Sequence, residues 1–514
     1  MARPIVDRRS NPIIPTKAEL GGLLALIAFY VVFDVVSEEG YYIVNVLGPS
    51  ILFVIVGSAA WFLIKRDPPM IWAPLFSFRV ATAAFFGIGS IVPLFLNETS
   101  RAYLESFYLF SDREIAKLNL IVACSVFVVL AACRLVYVFL PPTGRVVAQS
   151  SIKDHGYSNR RTRNYGAFYL ITGGLIKYIV IVPVAIGWVT IVLPGAVTSL
   201  AALSLCGIYL LTAWSLSMAP KMFVWVSLFV ALEMCSGLIM FNKTEALLPL
   251  ITYSMGLLVS KISVIRIISV CCVIGLALNV MQPLVSFSRN ELIRRQGDFF
   301  GGSLMERSEI LRSYFDKTVS SGVDDEGQGG WMRITYVNAG TFAIALYDRG
   351  FAGDSFRNMF AVFFPRIFWP DKPINQTASE FAAMSYGQYG SNLVTPTLFA
   401  EAYWNFGWPG IPMIAIPLGI ILALLSANTV RLLNRRAWLY MPVLFTSMQF
   451  GLSIDGVFVP TVVGGTVIIV GMQLSTAVVE GLMRSFGIDV SPQISPARQP
   501  NLPLKAFGLH DEPV

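Results

Sequence analysis

Apolar runs of about twenty residues recur along most of this chain, each closed by a short polar segment. A helix rises about 1.5 Å per residue, so one such run crosses roughly 30 Å of hydrocarbon. The pattern predicts spans near residues 18–36, 41–64, 72–96, 118–140, 167–188, 196–218, 222–241, 245–260, 264–286, 404–427, 437–455 and 459–480, twelve in all. The eighth is short enough to tilt or re-enter. The rhythm breaks once, where the 109 residues of 287–395 pass without a span. Within them SLMERSEILRSYF (303–315) places Leu304, Ile310, Leu311 and Phe315 near one helical face, with charges opposite. RITYVNAGTFAIALYDRG (333–350) predicts an apolar helix ended by glycine, and SSGVDDEGQGG (320–330) a flexible joint.

Charge between the runs gives a direction. Threaded from a cytoplasmic N-terminus, the chain keeps Lys65, Arg66, Arg145, Lys153, Arg160, Arg161, Arg163, Lys221, Lys261, Arg266, Arg431, Arg435 and Arg436 inside. The short outer loops SEEG (37–40) and NKTE (242–245) are poor in positive charge. In the outer loop 97–117, Arg101, Arg113 and Lys117 are offset by Glu98, Glu105, Asp112 and Glu114. The positive-inside rule therefore predicts N-in and C-in. Five segments follow: a cytoplasmic tail (1–17), a membrane domain of about nine spans (18–286), a large outer loop (287–395), about three further spans (396–480) and a disordered cytoplasmic tail (481–514).

Composition narrows the class. The chain is 55% hydrophobic and 13% charged, against about 25% charge in soluble domains. That excludes a soluble protein and predicts an all-α polytopic membrane protein lying in the lipid bilayer. The net charge of +7 is explained by orientation and implies no nucleic-acid partner. All six cysteines, Cys124, Cys133, Cys206, Cys235, Cys271 and Cys272, lie inside apolar runs, with neither disulfide nor zinc spacing.

The outer loop holds nine arginines and two lysines against twelve acidic residues. Arginine binds phosphate oxygens through a planar fork and stays charged when partly buried. An outward arginine pocket suits a lipid-linked phosphate or pyrophosphate, whereas pairing with the loop's own carboxylates is the competing account for each arginine. FPRIFWPDKP (364–373) is stiffened by Pro365, Pro370 and Pro373, with Phe368 and Trp369 suited to the interface belt and Arg366 and Lys372 at headgroup depth. A rigid turn with snorkelling cations is the alternative. In FAEAYWNFGWPG (399–410), Glu401 stands at the outer mouth of the tenth span, either as a helix-start acid or as a general base. Snorkelling or ion pairing accounts for Asp34, Arg79, Arg134 and Lys177, while mid-span Glu233 is the residue best placed to face a cavity. The histidines, His155 and His510, fall in a cytoplasmic loop and the tail. Asp324, Asp325 and Glu326 sit in a glycine-rich joint and are read as solvated, so no metal site is assigned.

The span layout, the late outer loop and three local texts resemble the O-antigen polymerases (Wzy type) of bacterial inner membranes, relatives of the O-antigen ligases. The texts are RITY (333–336), FPRIFWPDKP, and AEAYWNFGWPG (400–410) before the next span. The resemblance implies a GT-C-like glycosyltransferase, acting at the periplasmic face on undecaprenyl-pyrophosphate-linked oligosaccharides in O-antigen, capsule or exopolysaccharide synthesis. It implies no nucleotide sugar, metal or other cofactor, and allows a chain-length-regulating co-polymerase as partner. Ligases use a histidine in the outer loop, where this chain has none. On that resemblance Arg333, Arg366 and Lys372 would hold the pyrophosphate, supported by Arg289. Glu401 would be the base, Tyr403 would position sugar, and Trp369, Trp404 and Trp408 would stack on sugar or isoprenoid. A glycan transporter or flippase is the main reading from another class, although no repeat is visible. A receptor-like membrane protein is a third.

Overall fold

The computed structural model describes residues 13–36, 40–95, 111–140, 160–189, 191, 200–260, 262–296, 302–321, 334–364, 369, 371–373, 376–386 and 394–486. Among them the chain is helical and contains no strand. The helices are α1 (Lys17–Val36), α2 (Tyr41–Arg66), α3 (Pro74–Phe95), α4 (Asp112–Phe139), α5 (Arg160–Ala185), α6 (Leu203–Met218), α7 (Pro220–Ile239) and α8 (Lys243–Ser260). They continue as α9 (Val264–Gln296), α10 (Leu304–Ser321), α11 (Val337–Asp348), α12 (Thr377–Tyr386), α13 (Leu398–Phe406), α14 (Gly410–Asn434), α15 (Met441–Leu452) and α16 (Val459–Ser485).

Several boundaries follow from local chemistry. At α1 the Glu19 N–H donates to Thr16 Oγ1 at 3.0 Å and the Thr16 N–H to Glu19 Oε2 at 3.4 Å. Ser111 and Glu114 repeat this reciprocal cap at α4, satisfying N–H groups that have no partner within the helix. Proline opens α3 and α7, where its missing N–H costs nothing. At the end of α11, Gly350 takes φ +88°, letting the Phe351 N–H reach the Leu346 carbonyl at 2.9 Å.

Among the described residues nine helices, α1–α5, α7, α9, α14 and α16, are long and apolar enough to cross a membrane. The chain is a polytopic helical membrane protein. Each of the twelve predicted runs falls on a helix, but α8, at 18 residues, is not apolar enough to count among the nine, and α6 has 16 residues and α15 only 12. Both are packed inside the bundle, with Cys206, Ile208, Tyr209 and Leu210 of α6 and Val443, Leu444 and Phe445 of α15 fully buried. α9 departs from its predicted end at 286 and continues to Gln296, giving a helix about 50 Å long. The extension is held by buried Val285, Ser288 and Leu292 on one face and by Glu291 bonded to Arg294 (2.7 Å) and Arg295 (2.9 Å) on the other.

The main core joins α1–α4, α11 and α13–α16 and runs on into α6, through Cys206, Ile208 and Tyr209, and α8, through Met255 and Val259. Helices α5–α9 form a second group, joined to it by the Trp72–Tyr209 ring contact and by Tyr169, whose hydroxyl donates to the Leu439 carbonyl at 2.8 Å. Two charged pairs are sealed within spans. Arg79 forks onto Glu19 through Nε and Nη2, both at 2.8 Å, and both side chains are 2% exposed. Glu233, expected to face a cavity, instead takes Lys177 at 2.7 Å and the Tyr178 hydroxyl at 3.2 Å. Such a pair is costly to break, because the partner left behind is an uncompensated buried charge.

Cross-contacts assign helix ends to two faces. Asn45 donates to the Asp112 carbonyl, Lys117 pairs with Asp348, and Tyr336 donates to Asp455, so the starts of α2 and α4, both ends of α11 and the α15–α16 turn share one face. Arg307, just inside α10, reaches the Ala185 and Ile239 carbonyls, adding the ends of α5 and α7. This is the loop face. Contacts of Arg134 with the Pro15 carbonyl, and of Tyr169 with Leu439, tie together the opposite, tail face.

Candidate functional site

The segment singled out at 400–410 becomes α13, a nine-residue helix bracketed by unusual backbone. Thr397 before it takes φ +71° and ψ +155°, a region that an L side chain rarely enters. Its hydroxyl is buried without a hydrogen-bond partner among the described residues. Gly407 after it takes φ +61°, and a Cβ there would lie 2.7 Å from the Tyr347 hydroxyl. Strained backbone and an unsatisfied buried hydroxyl survive only where the surroundings hold them firmly.

What holds α13 is a polar zipper to residues 351–355. The Gly353 N–H donates to the Trp404 carbonyl at 2.9 Å, and Trp404 Nε1 donates to the Phe351 carbonyl at 3.0 Å. The Ser355 N–H donates to Asn405 Oδ1 at 3.1 Å, while Asn405 Nδ2 returns a bond to Ser355 Oγ at 2.9 Å. Ser355 Oγ then donates to Glu401 Oε1 at 2.5 Å, and the Phe458 N–H donates to Glu401 Oε2 at 2.6 Å. Glu401 is fully buried with both oxygens engaged. Burial pushes its carboxyl up to about 7, against the opposing pull of Ser355 and the Phe458 N–H.

Two further carboxylates stand beside this zipper. Asp348 accepts from Lys117 Nζ at 2.5 Å and from the Tyr403 hydroxyl at 3.0 Å, with Lys117 also 4.7 Å from the centre of the Tyr403 ring. Burial pushes the Tyr403 phenol up; Lys117 pulls it back and Asp348 adds to the rise. Asp455, in the turn between α15 and α16, is half-buried. One of its oxygens accepts from the Tyr336 hydroxyl at 2.8 Å, and its carbonyl accepts from Thr395 Oγ1 at 2.5 Å. Tyr336 in turn meets Phe85 edge-on at 5.2 Å. The tyrosine of RITY and the 400–410 segment are thereby joined through the 453–458 turn.

The aromatics divide between packing and display. Trp404 is 3% exposed and packs against Phe381 and Gly353, so its ring is core. Trp408 is 45% exposed and meets Tyr403 edge-on, and Trp369 is 40% exposed beside Phe364. These two present faces on which a sugar ring can stack.

Of the expected pyrophosphate ligands, Arg333 and Arg366 lie outside the described residues. Lys372 Nζ donates to the Phe364 carbonyl at 3.1 Å. Arg289 sits with the second helix group, where its Nε donates to the Phe241 carbonyl at 2.8 Å. Phe241, at φ +53°, closes α7, and Arg307 lies 5.2 Å from its ring while bonding three backbone carbonyls. Arg289 and Arg307 thus satisfy helix-terminal carbonyls that would otherwise be unpaired. Arg294 and Arg295 share Glu291, Arg312 pairs with Asp316 and Arg357 with Asp354. For these four the loop's own carboxylates are the partners.

The sequence reading passed over Asp455, Asp348, Tyr336, Ser355 and Asn405. A signal existed for Asp455: it is the one charged residue between Arg436 and Glu480. Fold and site together define the class, a multi-pass helical membrane protein with a carboxylate- and aromatic-rich cluster at one end of its bundle. No protein-family model, curated protein or solved structure matches the chain.

Proposed function

We propose that the protein is a membrane glycosyltransferase that joins oligosaccharide units carried on undecaprenyl pyrophosphate, at the periplasmic face of a bacterial inner membrane. The observation that carries this reading is the joining of the RITY tyrosine, the 400–410 segment and the last interhelical turn in one loop-face cluster. There three carboxylates, two phenols and exposed tryptophan surround strained backbone. Carboxylates accept sugar hydroxyl protons, phenols orient the carboxylates, and exposed indoles stack on sugar rings. The donor's diphosphate needs cations that are fixed before the bond breaks, and preorganised charge is usually the largest catalytic contribution. Arg333, Arg366 and Lys372 are assigned that role, and the GT-C-like architecture belongs to the same proposal. Arg289 is assigned to the α7 terminus instead.

The test is extension of a synthetic undecaprenyl-pyrophosphate oligosaccharide by the purified protein in lipid nanodiscs. The expected products are a ladder of longer lipid-linked glycans and free undecaprenyl pyrophosphate. Absence of both, with and without Mg²⁺, overturns the proposal. In cells, deletion should leave single units on the surface, whereas loss of a flippase leaves none.

A further inference from the structure

We propose that Asp455 is the catalytic base that receives the acceptor hydroxyl's proton; this rests on the glycosyltransferase reading. Three carboxylates compete for the role. Glu401 is sealed and has both oxygens bonded, to Ser355 and to the Phe458 N–H. Asp348 has both oxygens bonded, to Lys117 and Tyr403. Asp455 is half-buried and uses one oxygen, accepting from Tyr336. Its second oxygen makes no hydrogen bond among the described residues and is the acceptor left for an incoming hydroxyl.

That oxygen is also fixed in place. The Leu398 N–H donates to the Ile454 carbonyl at 3.1 Å, Thr395 holds the Asp455 carbonyl, and Glu401 holds the Phe458 N–H at 2.6 Å. The turn is thus pinned before, at and after Asp455, with Tyr336 setting the carboxylate plane. Gly456 adjoins it without a Cβ; one built there would lie 2.2 Å from Thr461 Oγ1. Glu401 is then a positioning residue that acts through Phe458. Thr397, strained and with an unpartnered buried hydroxyl, lies between Thr395 and the Leu398 N–H that grips the turn.

In the step itself the acceptor hydroxyl oxygen bonds to the anomeric carbon of the donor sugar. The bond from that carbon to the diphosphate oxygen breaks, and its electron pair leaves on undecaprenyl pyrophosphate. The hydroxyl proton passes to the free oxygen of Asp455.

The experiment compares wild type, Asp455→Asn, Asp455→Ala and Tyr336→Phe in the extension assay, alongside donor binding and melting temperature. Asp455→Asn should lose about 10²–10⁴-fold in extension rate, with donor binding unchanged. Tyr336→Phe, which keeps the carboxylate but frees it, should lose about 10-fold. Azide needs no deprotonation, so Asp455→Ala supplied with azide should form glycosyl azide and release the lipid pyrophosphate, which loss of a merely structural residue would not produce. Wild-type extension by Asp455→Asn overturns the assignment and leaves the glycosyltransferase reading standing. Should Asp455→Asn melt early, a wild-type rate in Tyr336→Phe decides against it equally. A wild-type protein that extends nothing overturns the reading itself.

Discussion

Glu401 illustrates how one side chain can matter without touching a substrate. Its carboxyl is buried and accepts two hydrogen bonds, yet burial still pushes it up to about 7 from an ordinary 4.5. The folded chain therefore holds this proton over a pH range where the unfolded chain has released it. The stability it contributes is full below about 4.5 and is lost as pH rises through about 7, amounting to about 3 kcal/mol over that window. Protonated Glu401 keeps the Phe458 bond and reverses the Ser355 bond, donating to an oxygen that otherwise donates. Glu401→Gln has the same bonding capacity and no charge to bury. We expect the wild-type melting temperature in detergent to fall between pH 5 and pH 8, and the Glu401→Gln curve to be flatter. Equal slopes would remove Glu401 as the source. Glu401→Ala should cost about 2–4 kcal/mol near pH 5, since the buried Phe458 N–H and Ser355 hydroxyl lose their partner, and less near pH 8, where the wild type has itself lost the Glu401 contribution.

α13 carries its strain at both ends, and the two ends make opposite predictions. Thr397→Gly relieves a backbone conformation that suits glycine, a gain of about 1–3 kcal/mol partly offset by about 1 kcal/mol of added chain entropy. We expect it to raise the melting temperature, and a lower one would show that Thr397 packing outweighs its strain. Gly407→Ala adds a Cβ 2.7 Å from the Tyr347 hydroxyl at positive φ and should destabilise by about 1–3 kcal/mol. This bracketing also shows what the sequence made legible. The apolar run at 404–427 located α14 but ran through Gly407-Trp408-Pro409-Gly410, where α13 ends and α14 begins, and apolar period placed α11 and α10 within a few residues of Val337–Asp348 and Leu304–Ser321. Sequence period could not foresee that Thr397 would be strained, because that conformation is imposed by the Leu398–Ile454 bond across 56 residues of chain. Nor could it assign the arginines. Arg307 looks like a solvated residue on a charged helix face, and only the arrival of Ala185 and Ile239 beside it turns it into a cap on two helix ends. Glu401 was legible as an unusual carboxylate, but whether its oxygens were free depended on Ser355 and Phe458, 46 and 57 residues away.

The two faces of the molecule turn these local contacts into a statement about topology. On the loop face, Lys117–Asp348, Tyr336–Asp455 and the Arg307 contacts join segments 68 to 231 residues apart. On the tail face, Arg134 meets Pro15, Tyr169 meets Leu439, and Tyr440 donates to Glu480 at 2.7 Å. The basic residues Lys65, Arg66, Arg160, Arg161, Arg163, Lys221, Arg431, Arg435 and Arg436 sit at helix ends that alternation assigns to the tail face. The loop-face arginines, by contrast, are largely neutralised by carboxylates or used on helix carbonyls, so they exert little pull on orientation. A bilayer should therefore fix the tail face in the cytoplasm. Single cysteines placed in a cysteine-free background at Arg312 and Arg357, whose side chains are 85% and 77% exposed, should react with an impermeant maleimide in spheroplasts. A cysteine at exposed Arg163 should react only after the membrane is opened. The reverse pattern would place Asp348, Glu401 and Asp455 on the cytosolic side. There, assembly of glycans from nucleotide-activated sugars would have to replace transfer between lipid carriers, because the loop face and its carboxylates move together as one end of the bundle.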